Sequence, residues 1–244
     1  MKPENIAGLT VDQVRLIPKK GKILIAEKTT DETILKDLAA NRAPEVRAMA
    51  ASNPCVSGET VSALAADAAP VVRAGVAANS NTAPDVLARL AKDPVPEVRI
   101  SVAGNPSTTE ETLFMLLDDR EVSVREAIAH NPNASEIIIA ELAGDDVDSV
   151  REGAASNHNI NIITLTELAE DERMGVRLQV VNNPKVTPEI LSTFVNDFKA
   201  QVRKAVACNP TTSADTLNQL INDKDDAVAA SARANPSFVA EKLW

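Results

Sequence analysis

Apolar side chains along this chain come in short bursts, every second one closed by an asparagine. In the stretch EVRISVAGNP, Val98, Ser101 and Val102 stand at i, i+3 and i+4, a spacing that puts apolar and small side chains on one helix face. Val124, Ala127 and Ile128 repeat it one segment later. Asn105-Pro106 then ends the helix, because a residue before proline is pushed out of the α region. A second burst follows at Leu113, Leu116 and Leu117, with counterparts at Leu87, Leu90 and Ala91 and at Leu165, Leu168 and Ala169. The pattern predicts pairs of short helices hinged at the asparagine.

The pairs recur with one period. Val-Arg occurs at Val46-Arg47, Val72-Arg73, Val98-Arg99, Val124-Arg125, Val150-Arg151, Val176-Arg177 and Val202-Arg203, every 26 residues without an insertion. The next step lands on Val228-Ala229. Asparagine keeps the same interval at Asn53, Asn79, Asn105, Asn131, Asn157, Asn183, Asn209 and Asn235. Such a row predicts amides that tie the end of one helix to the next loop, since buried amides are normally satisfied. Four residues beyond these asparagines stand N-cap candidates: Ser57, Thr109, Ser135, Asn161, Thr187 and Ser213, whose side-chain oxygens can accept from free first-turn amides. Pro84 and Pro188 fall at first-turn positions, where a missing N–H costs nothing.

Helices of about ten residues are too short to stand alone. Stacked pairs bury a continuous core, which is the logic of a solenoid. The expected fold is therefore all-α: an α-solenoid of about nine 26-residue two-helix repeats. Residues 1–18 are expected to form an N-terminal capping segment and residues 19–244 a single repeat domain, with degenerate first and last units. The first unit holds Ile23-Leu24-Ile25, and the Trp244 indole is expected to cover the last exposed face.

An acid or amide lies six positions before each arginine of the Val-Arg series. The pairs are Asn41/Arg47, Asp67/Arg73, Asp93/Arg99, Asp119/Arg125, Asp145/Arg151, Asp171/Arg177 and Asp197/Arg203, and the column ends where Asp223 faces Ala229. Stacking places each arginine between carboxylates of its own and the neighbouring repeat. The planar guanidinium can serve two acceptors at once. A free row of arginines would make an anion-binding track, but these are neutralised internally, so the row reads as a structural ladder.

Composition changes the picture in two ways. Aromatic residues are 2% of the chain, with no tyrosine, so Ala, Val, Leu and Ile must supply the buried area. The net charge of −10 opposes binding to nucleic acid phosphate or anionic lipid. The start MKPENIAGLTVDQVR has no apolar signal-peptide core. Cys55 and Cys208 lie far apart in the array. A reducing cytoplasmic location is the expectation.

The consensus V-R-x-x-V-A-x-N-P-x-T-x(4)-L-x-x-L-A-x-D, seen at Val98 to Asp119, resembles the leucine-rich repeat variant family of bacterial α-solenoids. The Asp-to-Arg spacing also resembles HEAT repeats, whose Asp and Arg form such a ladder. The resemblance covers about Gly21 to Trp244 and implies a right-handed superhelix. A cysteine-rich iron–sulfur segment implied by the variant family does not carry over, because this chain has no cysteine before Cys55. No cofactor and no metal is expected. By analogy with HEAT repeats, the Val-Arg helix lines the concave side. Its outward columns hold Ile100, Glu126, Glu152, Leu178 and Lys204, and His130, Ser156 and Asn182.

No phosphate loop, nucleophile elbow or zinc spacing appears. His130 with Glu126, or His158 with Glu152, could move a proton or hold a metal, without tight ligand spacing. The acidic runs Asp118-Asp119, Asp145-Asp146 with Asp148, and Asp223 with Asp225-Asp226 read as solvated loop acids. The expected function is a non-catalytic scaffold that takes a protein or extended peptide in a concave helical groove. The alternatives are a HEAT-like enzyme of lyase or nucleic-acid repair type, or a nucleic-acid-binding solenoid, which would need a basic channel and stacking aromatics.

Overall fold

The structure is a computed structural model that describes Ile6 and residues 8–241, the last three as backbone only. Trp244 and the other residues outside that span, including the expected indole cap, lie outside the described residues. The chain divides into two compact units, residues 1–133 and 134–244.

Unit 1 holds α1 (Val11–Leu16), α2 (Lys19–Lys28), α3 (Glu32–Ala39), α4 (Pro44–Ser52), α5 (Gly58–Leu64), α6 (Pro70–Ala78), α7 (Pro84–Leu90), α8 (Pro96–Ala103), α9 (Glu110–Met115) and α10 (Val122–Ala129). Unit 2 holds α11 (Glu136–Leu142), α12 (Asp148–Ser156), α13 (Ile162–Leu168), α14 (Met174–Asn182), α15 (Pro188–Thr193), α16 (Ala200–Cys208), α17 (Ala214–Leu220), α18 (Asp226–Ala234) and α19 (Pro236–Glu241). A 3-10 turn, Phe194–Asn196, extends α15. No strand occurs among the described residues. The fold is an all-α repeat solenoid of short helix pairs.

Within unit 1 the Val-Arg helices stack in sequence, α4 on α2, α6 on α4, α8 on α6 and α10 on α8; in unit 2, α14 stacks on α12, α16 on α14 and α18 on α16. The Leu-bearing helices pack mainly on Val-Arg helices rather than on one another. α1 packs on α3 and buries Val14. Val98, Val102 and Ala103 are buried, as are Val124, Ile128 and Ala129. The i+3 residue Ser101 is only half-buried, contrary to the i, i+3, i+4 expectation. A Val-Arg helix is flanked by its neighbours as well as by the Leu-bearing helix, and this shifts the buried arc to i, i+4 and i+5. In the Leu-bearing helices the residue before the first leucine, or before Ile139 in α11, is also core: Val86, Thr112, Ile138, Thr164, Ile190 and Thr216. Each fully buried Val or Leu contributes about 1.5–3 kcal/mol.

Thr109, Ser135, Asn161, Thr187 and Ser213 cap their helices, each accepting from the amide three residues on. Ser57 holds the same place without a cap bond; its hydroxyl meets that of Thr60 at 3.0 Å. Pro84 and Pro188 open α7 and α15.

Candidate functional site

Within each unit, two rows of polar side chains tie one repeat to the next. Arg73 sends Nε and Nη2 to the two carboxylate oxygens of Asp93, at 2.6 and 2.9 Å, and Nη1 to the main-chain oxygen of Asp67 at 2.8 Å. Arg47 with Asp67 and Arg99 with Asp119 repeat this in unit 1. Arg151 with Asp171, Arg177 with Asp197 and Arg203 with Asp223 repeat it in unit 2. Arg125 donates to the Asp119 main-chain oxygen, and Arg151 to that of Asp145.

The carboxylate partner is thus the acid 20 residues ahead, not the one six behind. The reason is local. The acid six behind turns its Oδ1 to cap its own loop, accepting from the amide two residues on: Asp67 from Ala69, Asp93 from Val95, Asp145 from Val147 and Asp197 from Lys199. Both carboxylate oxygens also accept from the arginine of the repeat before, as those of Asp93 do from Arg73, which leaves the main-chain oxygen for the arginine of its own repeat. Asn41 makes the same loop bond, to Ala43. Arg47 Nη1 donates to the Asn41 main-chain oxygen, but Gly21 stands one period before Arg47, so no guanidinium of the series is aimed at the Asn41 side chain and an amide suffices.

The Arg73 guanidinium holds the Asp93 carboxyl below the usual carboxylate range, overcoming burial. Asp67, Asp119 and Asp223 are held down in the same way by Arg47, Arg99 and Arg203. At Asp171, burial is the largest influence and pushes upward, but the Arg151 bond and the Arg173 amide outweigh it.

The asparagines form the second row. Asn105 Nδ2 donates to the main-chain oxygens of Ala77 and Asn79, at 2.6 and 2.9 Å, while its Oδ1 accepts from the Ser107 amide. Asn79, Asn131, Asn183 and Asn235 repeat the pattern. The repeat consensus contains a threonine to which the sequence reading gave no role: the hydroxyls of Thr82, Thr108 and Thr212 close the ends of α6, α8 and α16 by donating to the main-chain oxygens of Val76, Val102 and Val206. No buried side-chain nitrogen or oxygen among the described residues lacks a partner.

The expected face residues sit outside these rows. In unit 1, Ile100 and Glu126 are half-buried and His130 is exposed. In unit 2, Glu152 and Leu178 are half-buried, and Ser156, Asn182 and Lys204 are exposed. The Val-Arg helices approach closely here: a Cβ on Gly75 of α6 would lie 2.5 Å from the main-chain oxygen of Ala48 in α4. Glu152 folds its carboxylate over Gly175, in the first turn of α14.

One solved structure overlays this architecture well. It is described as a leucine-rich repeat variant with a novel repetitive protein structural motif, and it matches at TM-score 0.65, with 22% identity over 93% of this chain and 87% of that one. The chain has the fold of a leucine-rich repeat variant. An engineered protein matches at TM-score 0.38, with 16% identity over 99% of this chain and 73% of that one. Computationally designed armadillo repeat proteins for modular peptide recognition match at TM-score 0.24, with 15% identity over 92% and 95%. Overlaps this low do not bear on this chain. No protein-family model and no curated protein matches it.

On this variant-repeat frame the imidazoles are not joined to the expected carboxylates. The His130 ring, at the C-cap of α10, meets the main-chain oxygen of Glu126 through Nδ1 at 2.9 Å. Glu152 shares no hydrogen bond or ion pair with His158, which is exposed. No cluster of three His, Cys, Asp or Glu residues able to hold a metal occurs among the described residues. The acidic runs do local work: Asp225 caps α18, and Asp148 pairs with Arg173 at 3.4 Å. In unit 2 an open cavity of about 530 Å3 is lined by Asn196, Phe198, Arg203, Asp223 and Lys224. Phe198 lies over the Arg177 guanidinium, 4.4 Å from its ring centre. No described helix is long and apolar enough to cross a membrane.

Proposed function

We propose that the chain is a non-catalytic scaffold that presents the outward edge of its Val-Arg helices to a protein or an extended peptide. The observation that carries this reading is a contrast between positions. The core positions of the Val-Arg helices and both ladders repeat almost unchanged, whereas one exposed position changes chemistry at every step: His130 in unit 1, then Ser156, Asn182 and Cys208 in unit 2. Close approach of the Val-Arg helices, as at Gly75, draws in their side of unit 1. This supports reading the Val-Arg side of unit 1 as its concave side, a surface of rigid helix rather than loop, and rigid surfaces bind without an ordering cost.

The ladder arginines are spent on Asp carboxylates, so they are not an anion track. The net charge of −10 disfavours nucleic acid. The His130 bond to its own helix leaves that ring poorly placed as a proton carrier. Cys55 and Cys208 are free and exposed, which suits the reducing cytoplasm proposed as the setting. The test is affinity capture from native lysate with wild-type chain and with Glu126→Arg/Glu152→Arg, both first shown to be folded by circular dichroism. Loss of specific partners in the variant is expected, and identical partner sets would sink the assignment.

A further inference from the structure

The second residue of each Leu-bearing helix from α3 to α17 is exposed, and in six copies it is polar: Thr33, Glu59, Asp85, Glu111, Glu189 and Asp215. An acid suits this place, because the first turn of a helix has free amides and partial positive charge. The Glu111 carboxyl is held below its usual range by its own amide and the Thr109 hydroxyl. That of Glu189 is held down by Thr187 and its own amide.

Two consecutive copies in unit 2 break the rule in register. Ile137 of α11 and Ile163 of α13 occupy the position and are 65% and 69% exposed. Ile162, 45% exposed, widens the strip. Both helices pack on α12. Ile162 and Ile163 border a shallow depression of about 360 Å3, completed by Thr166, Glu167 and Glu170. Neither helix carries a Lys or Arg. Glu136, Glu141, Glu167 and Glu170 are exposed and take part in no ion pair among the described residues. An isoleucine here gives up the first-turn charge interaction and leaves apolar surface in water, with no return inside the fold.

We propose that the outer face of α11 and α13 docks a basic amphipathic segment of another protein. Its apolar stripe covers Ile137, Ile162 and Ile163, and its Lys and Arg side chains meet the four carboxylates around them. Apolar anchors ringed by complementary charge are how amphipathic segments are recognised. This face lies on the Leu-bearing helices, whereas the proposed scaffold face lies on the Val-Arg helices, so the two readings stand or fall separately.

The test is fluorescence anisotropy with a labelled Leu/Lys amphipathic peptide as probe and a Leu/Glu peptide of the same apolar pattern as control. The decisive variant is Ile137→Glu/Ile163→Glu, which restores the acid that five other copies carry and adds two negative charges. Ile137→Thr/Ile163→Thr, following Thr33, is the second variant and leaves the charge unchanged. The wild-type chain is expected to bind the Leu/Lys peptide and not the Leu/Glu peptide. Both variants should weaken that binding by about tenfold or more. Equal or tighter binding to Ile137→Glu/Ile163→Glu would mean that acidity alone attracts the probe, and the proposal would be overturned. Failure of the wild-type chain to bind would overturn it too. So would a wild-type dimer, seen by sedimentation, that both variants turn into monomer, since a second copy would then own the face.

Discussion

Arg99 makes three hydrogen bonds to two successive repeats, with its side chain only 9% exposed. Its removal leaves the Asp119 carboxylate buried without its cation. Arg99→Ala should therefore cost about 3–5 kcal/mol, measured by urea unfolding. Arg99→Lys should recover only part of that, because a point charge cannot serve both carboxylate oxygens and the Asp93 carbonyl. Asn105→Ala strands the Ala77 carbonyl and the Ser107 amide and takes one of two donors from the Asn79 carbonyl, and should cost about 1–3 kcal/mol; a midpoint unchanged from wild type would show that water replaces the amide. Both columns were legible in the sequence because their period is strict. The choice of partner was not. Spacing says which residues share a column, but not that Asp93 gives both oxygens to Arg73 and Oδ1 to its own loop besides, and so meets its own arginine by the main chain alone. Thr108 stood in the consensus without a role because Val56, Ala134, Ile160 and Val186 hold the same place in other repeats, and an apolar majority hides a polar role.

The helices differ in how much a small residue matters to them. On α6, a Cβ at Gly75 would press on the Ala48 backbone, which cannot swing aside. Gly75→Ala should lower stability by about 1–3 kcal/mol, although alanine is the better helix former. On α14, a Cβ at Gly175 would meet only the end of the Glu152 side chain, which can rotate away. Gly175→Ala should raise stability by about 0.5–1 kcal/mol. Thermal melts of the two variants should move in opposite directions; shifts of the same sign would contradict the packing described for the Val-Arg helices. Helix pairs, their proline starts and most caps could be read from the chain, because each follows from local backbone chemistry. The buried arc at i+5 could not, since it depends on neighbours that a single helix does not reveal. Likewise Ile137 and Ile163 look like ordinary core isoleucines until their exposure is known.

Across the whole molecule the ladder makes stability depend on pH. Asp67, Asp93, Asp119, Asp171 and Asp223 all titrate below their ordinary range in the folded chain, whereas the unfolded carboxyl titrates near pH 3.9, roughly. Their stabilisation is therefore fully present above that unfolded value and is lost as pH falls through the folded values. Urea unfolding should give a flat stability between about pH 7 and 5 and a steep fall below about pH 4. Asp93→Asn should make that fall shallower, and an identical slope would remove the ladder from the explanation. In unit 1 each of these ties reaches one repeat and no further, which makes the period a unit of editing. Joining Asp67 directly to Pro94 excises 26 residues; Arg47 keeps its carboxylate, Arg99 inherits the Asp67 carbonyl, and Asn105 inherits those of Ala51 and Asn53. The shortened chain should still melt cooperatively by circular dichroism, whereas cuts of other lengths should not. A lineage could thus lengthen or trim such a protein in whole bricks, without inventing a new joint.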